Sequence, residues 1–147
     1  MLRKNVKIKN KNALYNFFLL EKYIAGLKLL GHEVKSIKKN NANLNNSFCK
    51  VLNTEIFLLN LYLNKISSTN STSRNILLLL KKKEILKISE AVKKFSLNII
   101  PENIFINKKG LIKLVIHLAK SKKKYDKREL MKKKEVEIFS KILEKVN

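Results

Sequence analysis

The chain has 147 residues and a formal net charge of +22, from 33 lysines and arginines against 11 acidic residues. A charge this far from zero opposes folding and indicates a polyanionic partner, with nucleic acid favoured over an anionic membrane surface. A single cysteine excludes a disulfide framework, and with two histidines it makes no persuasive zinc site. Because no apolar run approaches the roughly 20 residues of a membrane span and no secretory signal is recognised, we expect a cytoplasmic protein.

The N-terminal third of the chain predicts an arm, a strand and a short helix. Residues 1–12 are basic and lack acids, which is typical of a flexible arm. Residues 13–18 predict one helical turn. The apolar segment 17–30 predicts a strand in which Gly26 marks a bulge or a close backbone approach.

A helix and a turn follow this strand. Val34 and Ile37 lie three residues apart and predict an amphipathic helix over 31–38, with Glu33 and Lys35 facing away from the core. The Asn-rich segment 39–46 predicts a turn, because asparagine tolerates left-handed backbone geometry.

The middle of the chain predicts two further strands, of which the second is clearer. Its apolar residues alternate and are expected to share one face: Phe57, Leu59, Leu61 and Leu63. A polar loop is predicted over 64–75, and the apolar segment Ile76–Leu80 predicts a buried strand.

The next elements are a helix and two strands. Residues at helical spacing predict the helix: Ile85, Ile88, Val92 and Phe95. Residues 97–107 predict a strand that Pro101 restricts to a sheet edge or a bulge. Residues 111–118 alternate and predict a strand with His117 facing solvent.

These elements define the expected fold class, which is mainly β with helices (α+β). About six short strands and about three helices favour a small closed antiparallel barrel of the oligonucleotide-binding (OB) type, which suits the charge. We expect three regions, namely an arm over 1–12, a barrel over 13–119 and a basic C-terminal tail over 120–147. Cys49 is interpreted as a buried small apolar residue.

Several sequence blocks resemble the SsrA-binding protein family, also called small protein B. The first blocks are Asn10, Lys11 and Ala13, then Phe18, Glu21, Ala25, Gly26 and Leu27. The next are Gly31, Glu33, Val34, Lys35 and Ser36, then Asn43, Ser47 and Phe48. Leu78–Leu80 with Glu84, and the block Ala119, Lys120, Lys122, Lys123, Tyr125, Asp126, Lys127 and Arg128, complete the pattern. The chain departs from the pattern at Asn12, Ile24, Ile76, Leu77 and Ser121.

This resemblance implies RNA binding without bond chemistry and without a cofactor. The expected partner is transfer-messenger RNA, whose tRNA-like part the protein would cap in place of a missing anticodon arm. The complex would enter stalled ribosomes, so the small ribosomal subunit and its rRNA are further partners. Elongation factor Tu would be reached indirectly through the RNA. The protein would be a monomer when bound to RNA, and the tail, disordered when free, would become helical on the ribosome.

The resemblance also implies two sets of contact residues. Those expected to bind transfer-messenger RNA are Lys11, Glu21, Gly26, Glu33, Lys35, Asn43, Arg74, Leu79 and Lys81. Those expected to contact the decoding centre and message channel are Lys120, Lys122, Lys123, Tyr125, Asp126, Lys127, Arg128, Lys132, Lys134, Ile142 and Leu143. Glu21 and Glu33 have two possible roles, either as salt-bridge partners that orient a cation or as acceptors for RNA hydroxyl or amino groups.

Two other functions compete with ribosome rescue. A general or ribosomal RNA-binding barrel would bind many RNAs without preferring a tRNA-like fold. An enzyme such as a nuclease is the least favoured, because no nucleophile, ligand set or phosphate loop accompanies the few acids.

Overall fold

The computed structural model describes residues 6–63 and 74–122, which form nine strands and three helices. In chain order these are β1 (Lys7–Lys9), α1 (Ala13–Asn16), β2 (Phe17–Leu27), α2 (Gly31–Lys38), β3 (Ala42–Asn43), β4 (Phe48–Leu52), β5 (Glu55–Leu59), β6 (Tyr62–Leu63), β7 (Ile76–Leu79), α3 (Lys82–Phe95), β8 (Asn98–Ile106) and β9 (Ile112–Ser121). The expectation of a mainly β protein with three helices is therefore confirmed.

Six long or central strands correspond to the six that the sequence predicts. Strand pairing links β8 to β4, β4 to β5, β5 to β7, β7 to β2, β2 to β9, and β9 back to β8. The three additional strands are short: β1 pairs with β8, and β3 pairs with β6 in a separate two-stranded sheet. Every pairing is antiparallel.

The core consists of side chains from the inward faces of these strands, together with one face of each longer helix. Ile37 of α2 and Ile88 of α3 are both fully buried in it. Ile88 is the centre of the predicted apolar stripe, while Phe95 at its end is 43% exposed. The helix α3 ends because Ser96 adopts a left-handed conformation, with φ of 52°.

Asparagines supply most of the tight turns. Asn40, Asn46, Asn53 and Asn60 all have positive φ, between 58° and 72°. Asparagine tolerates this conformation better than other residues with a Cβ atom. The predicted turn over 39–46 is confirmed only in part: Asn40 and Asn46 lie in turns, but Ala42–Asn43 between them forms β3 and pairs with β6.

Four expectations about the strands and their side chains require correction. Residues 6–12 do not form a flexible arm, because Lys7–Lys9 pairs with Phe105, Ile104 and Asn103 of β8. The strand β9 runs to Ser121, two residues past the predicted end of the barrel, so residues 120 and 121 are not a disordered start of the tail. The predicted face of Phe57, Leu59, Leu61 and Leu63 is broken, because the left-handed Asn60 reverses the alternation. Ile56 and Leu58 are buried before it, and Leu61 and Leu63 after it.

The fourth correction concerns His117, which does not face solvent. Only 11% of its side chain is exposed, and its ring joins two irregular strand regions. Nδ1 lies 3.1 Å from the Leu20 carbonyl, within the register shift of β2. Nε2 lies 2.6 Å from the Glu102 carboxylate, at the shift that follows Pro101 in β8. The bulge predicted at Pro101 is confirmed, but β8 is an interior strand that pairs with β1, β4 and β9.

Within the described ranges, none of the helices combines the length and apolar character needed to cross a membrane. The predicted loop over 64–75 lies mostly outside these ranges, as do residues 1–5 and the tail from 123 onward.

Candidate nucleic-acid interface

The ion pair of Glu33 and Arg74 organises one end of the predicted RNA-binding surface. Glu33 lies in the first turn of α2, where its Oε1 accepts a hydrogen bond of 2.7 Å from the Leu30 backbone amide. Arg74 donates to both carboxylate oxygens, through Nη2 at 2.6 Å and Nε at 2.9 Å. Its Nη2 also donates to the Lys28 carbonyl at 3.0 Å, so one guanidinium joins α2 to the end of β2.

Glu33 is buried, although the sequence predicted that it faces away from the core. The predicted helix over 31–38 is confirmed, but Glu33 is buried, whereas Lys35 is exposed as expected. Burial opposes ionisation of the carboxyl group, yet hydrogen bonds from Arg74 and the Leu30 amide lower the pKa of Glu33 below its usual value. The geometry therefore matches the salt-bridge role considered for this acid. Most of the Arg74 N–H groups donate to acceptors within the protein. Arg74 therefore holds neighbouring segments of the surface together.

Gly26, Leu79 and Lys81 lie close together where β2 pairs with β7. Gly26 is the cross-strand partner of Leu79. A Cβ atom on Gly26 would lie 3.1 Å from the Leu79 Cβ, so the glycine permits this close approach of strands. Leu79 is 54% exposed. Lys81 lies two residues later, immediately before α3. An exposed leucine and an exposed lysine thus share one edge of the surface.

Glu21 belongs to a different part of this surface. Its Oε1 accepts a hydrogen bond of 3.1 Å from Lys87 Nζ in α3. The two side chains are 30% and 67% exposed, so this contact contributes little to stability. For Glu21, as for Glu33, the structure provides a cationic partner within the protein.

Lys11 and Asn43 form a second group, around the turn that follows β3. The Lys11 backbone amide donates to Asn45 Oδ1 at 3.0 Å, and the Asn45 amide donates to Asn43 Oδ1 at 2.8 Å. Asn45 was not among the predicted site residues, although the turn that contains it was recognised. No local pattern in the sequence separates Asn45 from its neighbouring asparagines.

Lys122, which was predicted to contact the ribosome, is anchored within the protein. It is 8% exposed, and its Nζ donates to the Leu14 carbonyl at 2.6 Å. The same ammonium group lies 4.6 Å from the centroid of the Phe18 ring. The Lys122 amide donates to the Asn16 carbonyl at 2.9 Å. These contacts fix the point at which the chain leaves β9, whereas Lys120 is exposed on that strand.

The other predicted ribosome contacts lie outside the described residues. These are Lys123, Tyr125, Asp126, Lys127, Arg128, Lys132, Lys134, Ile142 and Leu143.

Cys49 lies in the hydrophobic core. Cys49 is buried, as predicted, and burial raises the pKa of its thiol. The described ranges contain no cluster of three His, Cys, Asp or Glu residues that could hold a metal ion.

Comparison with known proteins assigns the chain to a family. The family model described as "SmpB protein" matches residues 7–143. The SsrA-binding protein of Thermosipho melanesiensis is 47% identical over 131 residues, which cover 86% of this chain and 89% of that protein. The SsrA-binding protein of Bacteroides thetaiotaomicron is 42% identical over 139 residues, with coverages of 92% and 93%.

A solved structure is also similar. It is described as "tmRNA-SmpB: a journey to the center of the bacterial ribosome", with 29% identity and a TM-score of 0.66. The similarity covers 86% of this chain and 95% of that one. The sequence and structural matches together place the chain in a class of RNA-binding proteins. The chain belongs to the SmpB family of SsrA-binding proteins, as its sequence blocks predicted.

Proposed function

We propose that this protein binds transfer-messenger RNA and delivers it to stalled ribosomes for trans-translation and the tagging of incomplete peptides. The observation that carries the proposal is the family match over residues 7–143, which includes both the strand framework and most of the basic tail. The net charge of +22 supplies the electrostatic term that dominates RNA affinity. A ribosome-bound function would place the protein in the cytoplasm.

The fold suits this role as an OB-type barrel. The circuit of pairings from β8 through β4, β5, β7, β2 and β9 back to β8 supports a closed six-stranded barrel. Barrels of this type commonly present one strand face to oligonucleotides. The tRNA-like RNA would meet apolar and cationic groups on this surface. Leu79, beside its cross-strand partner Gly26, would supply the apolar contact, and Lys81 and Lys35 would supply the cations. Lys11 and Asn43 would add contacts at the second turn.

The mechanism is recognition and placement, with no bond made or broken by the protein. Structured RNA is recognised by shape, phosphate contacts and 2′-hydroxyl groups. The barrel would replace the missing anticodon arm, and the Glu33–Arg74 pair would hold α2 in the orientation that presents Lys35. The tail would then enter the vacant message channel of the small subunit, where Tyr125 could stack on an rRNA base. Elongation factor Tu would bind the RNA and would not contact this protein directly.

The affinity for two RNAs tests this proposal. We expect the full chain to bind transfer-messenger RNA at least tenfold more tightly than an unstructured RNA of equal length. Both affinities should fall steeply with salt, because binding releases counterions. Equal affinity for the two RNAs at every salt concentration would instead favour the general RNA-binding function.

A further inference from the structure

The outward side of β4 and β5, together with Leu77 of β7, forms an apolar surface that contains none of the predicted RNA contacts. Strand register places Phe48 beside Leu59. It also aligns Phe57 with Lys50 on one side and with Leu77 on the other. Directly paired residues project from the same side of a sheet, so these side chains share one surface. We call its five apolar members the strand patch: Phe48, Leu52, Phe57, Leu59 and Leu77.

The alternation of burial along these strands fixes the strand patch on the outside. The residues between its members point into the core, because successive side chains of a strand project to opposite sides. These intervening residues are all at most 7% exposed: Cys49, Ile56, Leu58, Ile76 and Leu78. Phe48 and Leu52 are 40% and 38% exposed, and the other three members are half-buried. A contiguous apolar surface of this kind indicates a binding site for another apolar surface.

The C-terminal segment over 135–147 has an apolar stripe of matching length. At helical spacing its apolar side chains fall on one side: Ile138, Phe139, Ile142, Leu143 and Val146. These positions lie outside the described residues. A helix over 138–146 would be about 14 Å long, and a five-residue strand such as β4 extends over about 17 Å. The stripe and the strand patch are therefore comparable in size.

The charge of this segment is complementary to that of the barrel. Residues 135–147 hold three acids, Glu135, Glu137 and Glu144, against two lysines, although the whole chain has 33 cations against 11 acids. The segment is thus attracted to the basic barrel, whereas the Lys-rich residues 123–134 are repelled by it. Lys50 is exposed beside Phe57, and it has no acidic partner in the part of the chain that the structure describes.

The chain leaves the barrel close to the strand patch. Lys122 is held in place by its contacts with the α1 region, and it lines the same cleft as Phe48. Residues 123–134 then connect it to the C-terminal segment. A flexible connection of this length spans about 20 Å on average and up to about 40 Å when extended. The strand patch is about 10 Å wide and about 17 Å long, so the segment can reach all of it.

We propose that residues 135–147 dock on the strand patch as an amphipathic helix when the protein is free. The inference goes beyond the proposed function, and it replaces the disordered free tail that the family resemblance implies with a tail held at both ends. Ile142 and Leu143, which are predicted ribosome contacts, would first bind within the protein. On the proposed function the contact is autoinhibitory, because the segment must leave the strand patch before it can enter a message channel.

Hydrogen exchange of the full chain without RNA tests the proposal. We expect the amides of residues 138–146 to exchange at least about tenfold more slowly than those of an unstructured chain, because the connection gives the segment a high effective concentration at the strand patch. The patch variant, Phe48→Thr, Leu52→Thr and Leu59→Thr, keeps β-compatible side chains and should remove this protection. The matched control, Ile24→Thr, Leu30→Thr and Leu111→Thr, replaces three exposed apolar residues elsewhere and should keep it.

Two further variants identify the contact from each side. Ile138→Ser with Ile142→Ser disrupts the stripe, leaves every described residue unchanged, and should lose the protection as the patch variant does. Lys50→Glu leaves the strand patch intact and should weaken the protection several-fold, because it repels the acidic segment. Lys50 is exposed, so this variant tests the location of the contact even where the patch variant does not fold. Unchanged exchange of the β2 and β9 amides shows that a variant is folded.

Three results would overturn the proposal. Fast exchange of residues 138–146 in the wild type would mean that the free tail does not dock. Protection that survives in both the patch variant and Lys50→Glu would place the helix elsewhere. Protection that is lost on tenfold dilution would assign the strand patch to a second copy of this chain. None of these readouts involves RNA, so they are independent of the proposed function.

Discussion

Removing residues 123–147 should abolish peptide tagging on stalled ribosomes while leaving most of the affinity for transfer-messenger RNA intact. The family resemblance assigns the message channel to the tail, and the chain up to residue 122 keeps every predicted RNA contact from Lys11 to Lys81. We expect the RNA dissociation constant to rise by less than about tenfold, which corresponds to about 1.4 kcal/mol. Tagging should fall to background in a reconstituted translation system at protein concentrations that saturate the RNA.

The truncation point matters because Lys122 must be kept. Its contacts with Leu14 and Phe18 tie the end of β9 to the α1 region, so truncation after Ala119 would also remove the last two residues of β9 and these contacts. The double variant Tyr125→Ala and Arg128→Ala tests the same role of the tail in the full-length chain. It should reduce tagging in part by removing a stacking ring and a phosphate-binding fork. Undiminished tagging by the truncated chain would show that the tail has no part in rescue.

Replacing Arg74 with leucine should cost about 2–4 kcal/mol of unfolding free energy at neutral pH, because it leaves the Glu33 carboxylate buried without its cation. We place the loss near the low end for buried pairs, since Arg74 is 37% exposed while Glu33 is 3% exposed. Denaturant unfolding measures the difference. The matched control is Lys87→Leu, which breaks the exposed pair with Glu21 and should cost less than about 1 kcal/mol.

The pH dependence of the Arg74 variant gives a second readout. The pKa of Glu33 is lowered in the folded wild type, so the pair stabilises above the unfolded carboxyl pKa, and this contribution is lost as pH falls through the folded value. In Arg74→Leu the unpaired carboxyl has a raised folded pKa, so the variant is destabilised as pH rises. The stability difference should therefore begin to shrink as pH falls through that raised pKa, and it should continue to shrink below the unfolded carboxyl pKa of about 4.3. A difference that stays constant with pH would contradict the assigned ion pair.

The sequence predicted the longer strands that alternate or form apolar runs, and it missed three short ones, β1, β3 and β6. The six strands of the pairing circuit were all expected. β3 and β6 have two residues each, which is too short for any periodicity to appear. β1 has the pattern Lys-Ile-Lys, which alternates, but its charge made an arm the natural interpretation. Pairing with β8 overrides that preference by burying Ile8.

The candidate site was harder to predict because its side chains meet through tertiary structure. Arg74 and Glu33 are 41 residues apart in sequence, and no local pattern shows that they pair. His117 seemed to face solvent by alternation, but the irregular regions at Leu20 and Glu102 bring acceptors to both ring nitrogens. Lys122 belongs to a basic run that resembles a solvated tail, and only the fold shows Leu14 and Phe18 beside it.

The most direct test of the proposed function is peptide tagging in a purified translation system stalled on a message without a stop codon. The system would contain transfer-messenger RNA and elongation factor Tu, with this protein as the sole SmpB-family component. We predict that tagged peptide appears only when both the protein and the RNA are present, and that its yield rises with protein concentration to saturation. Absence of tagged peptide at a protein concentration that saturates the RNA would contradict a role in ribosome rescue.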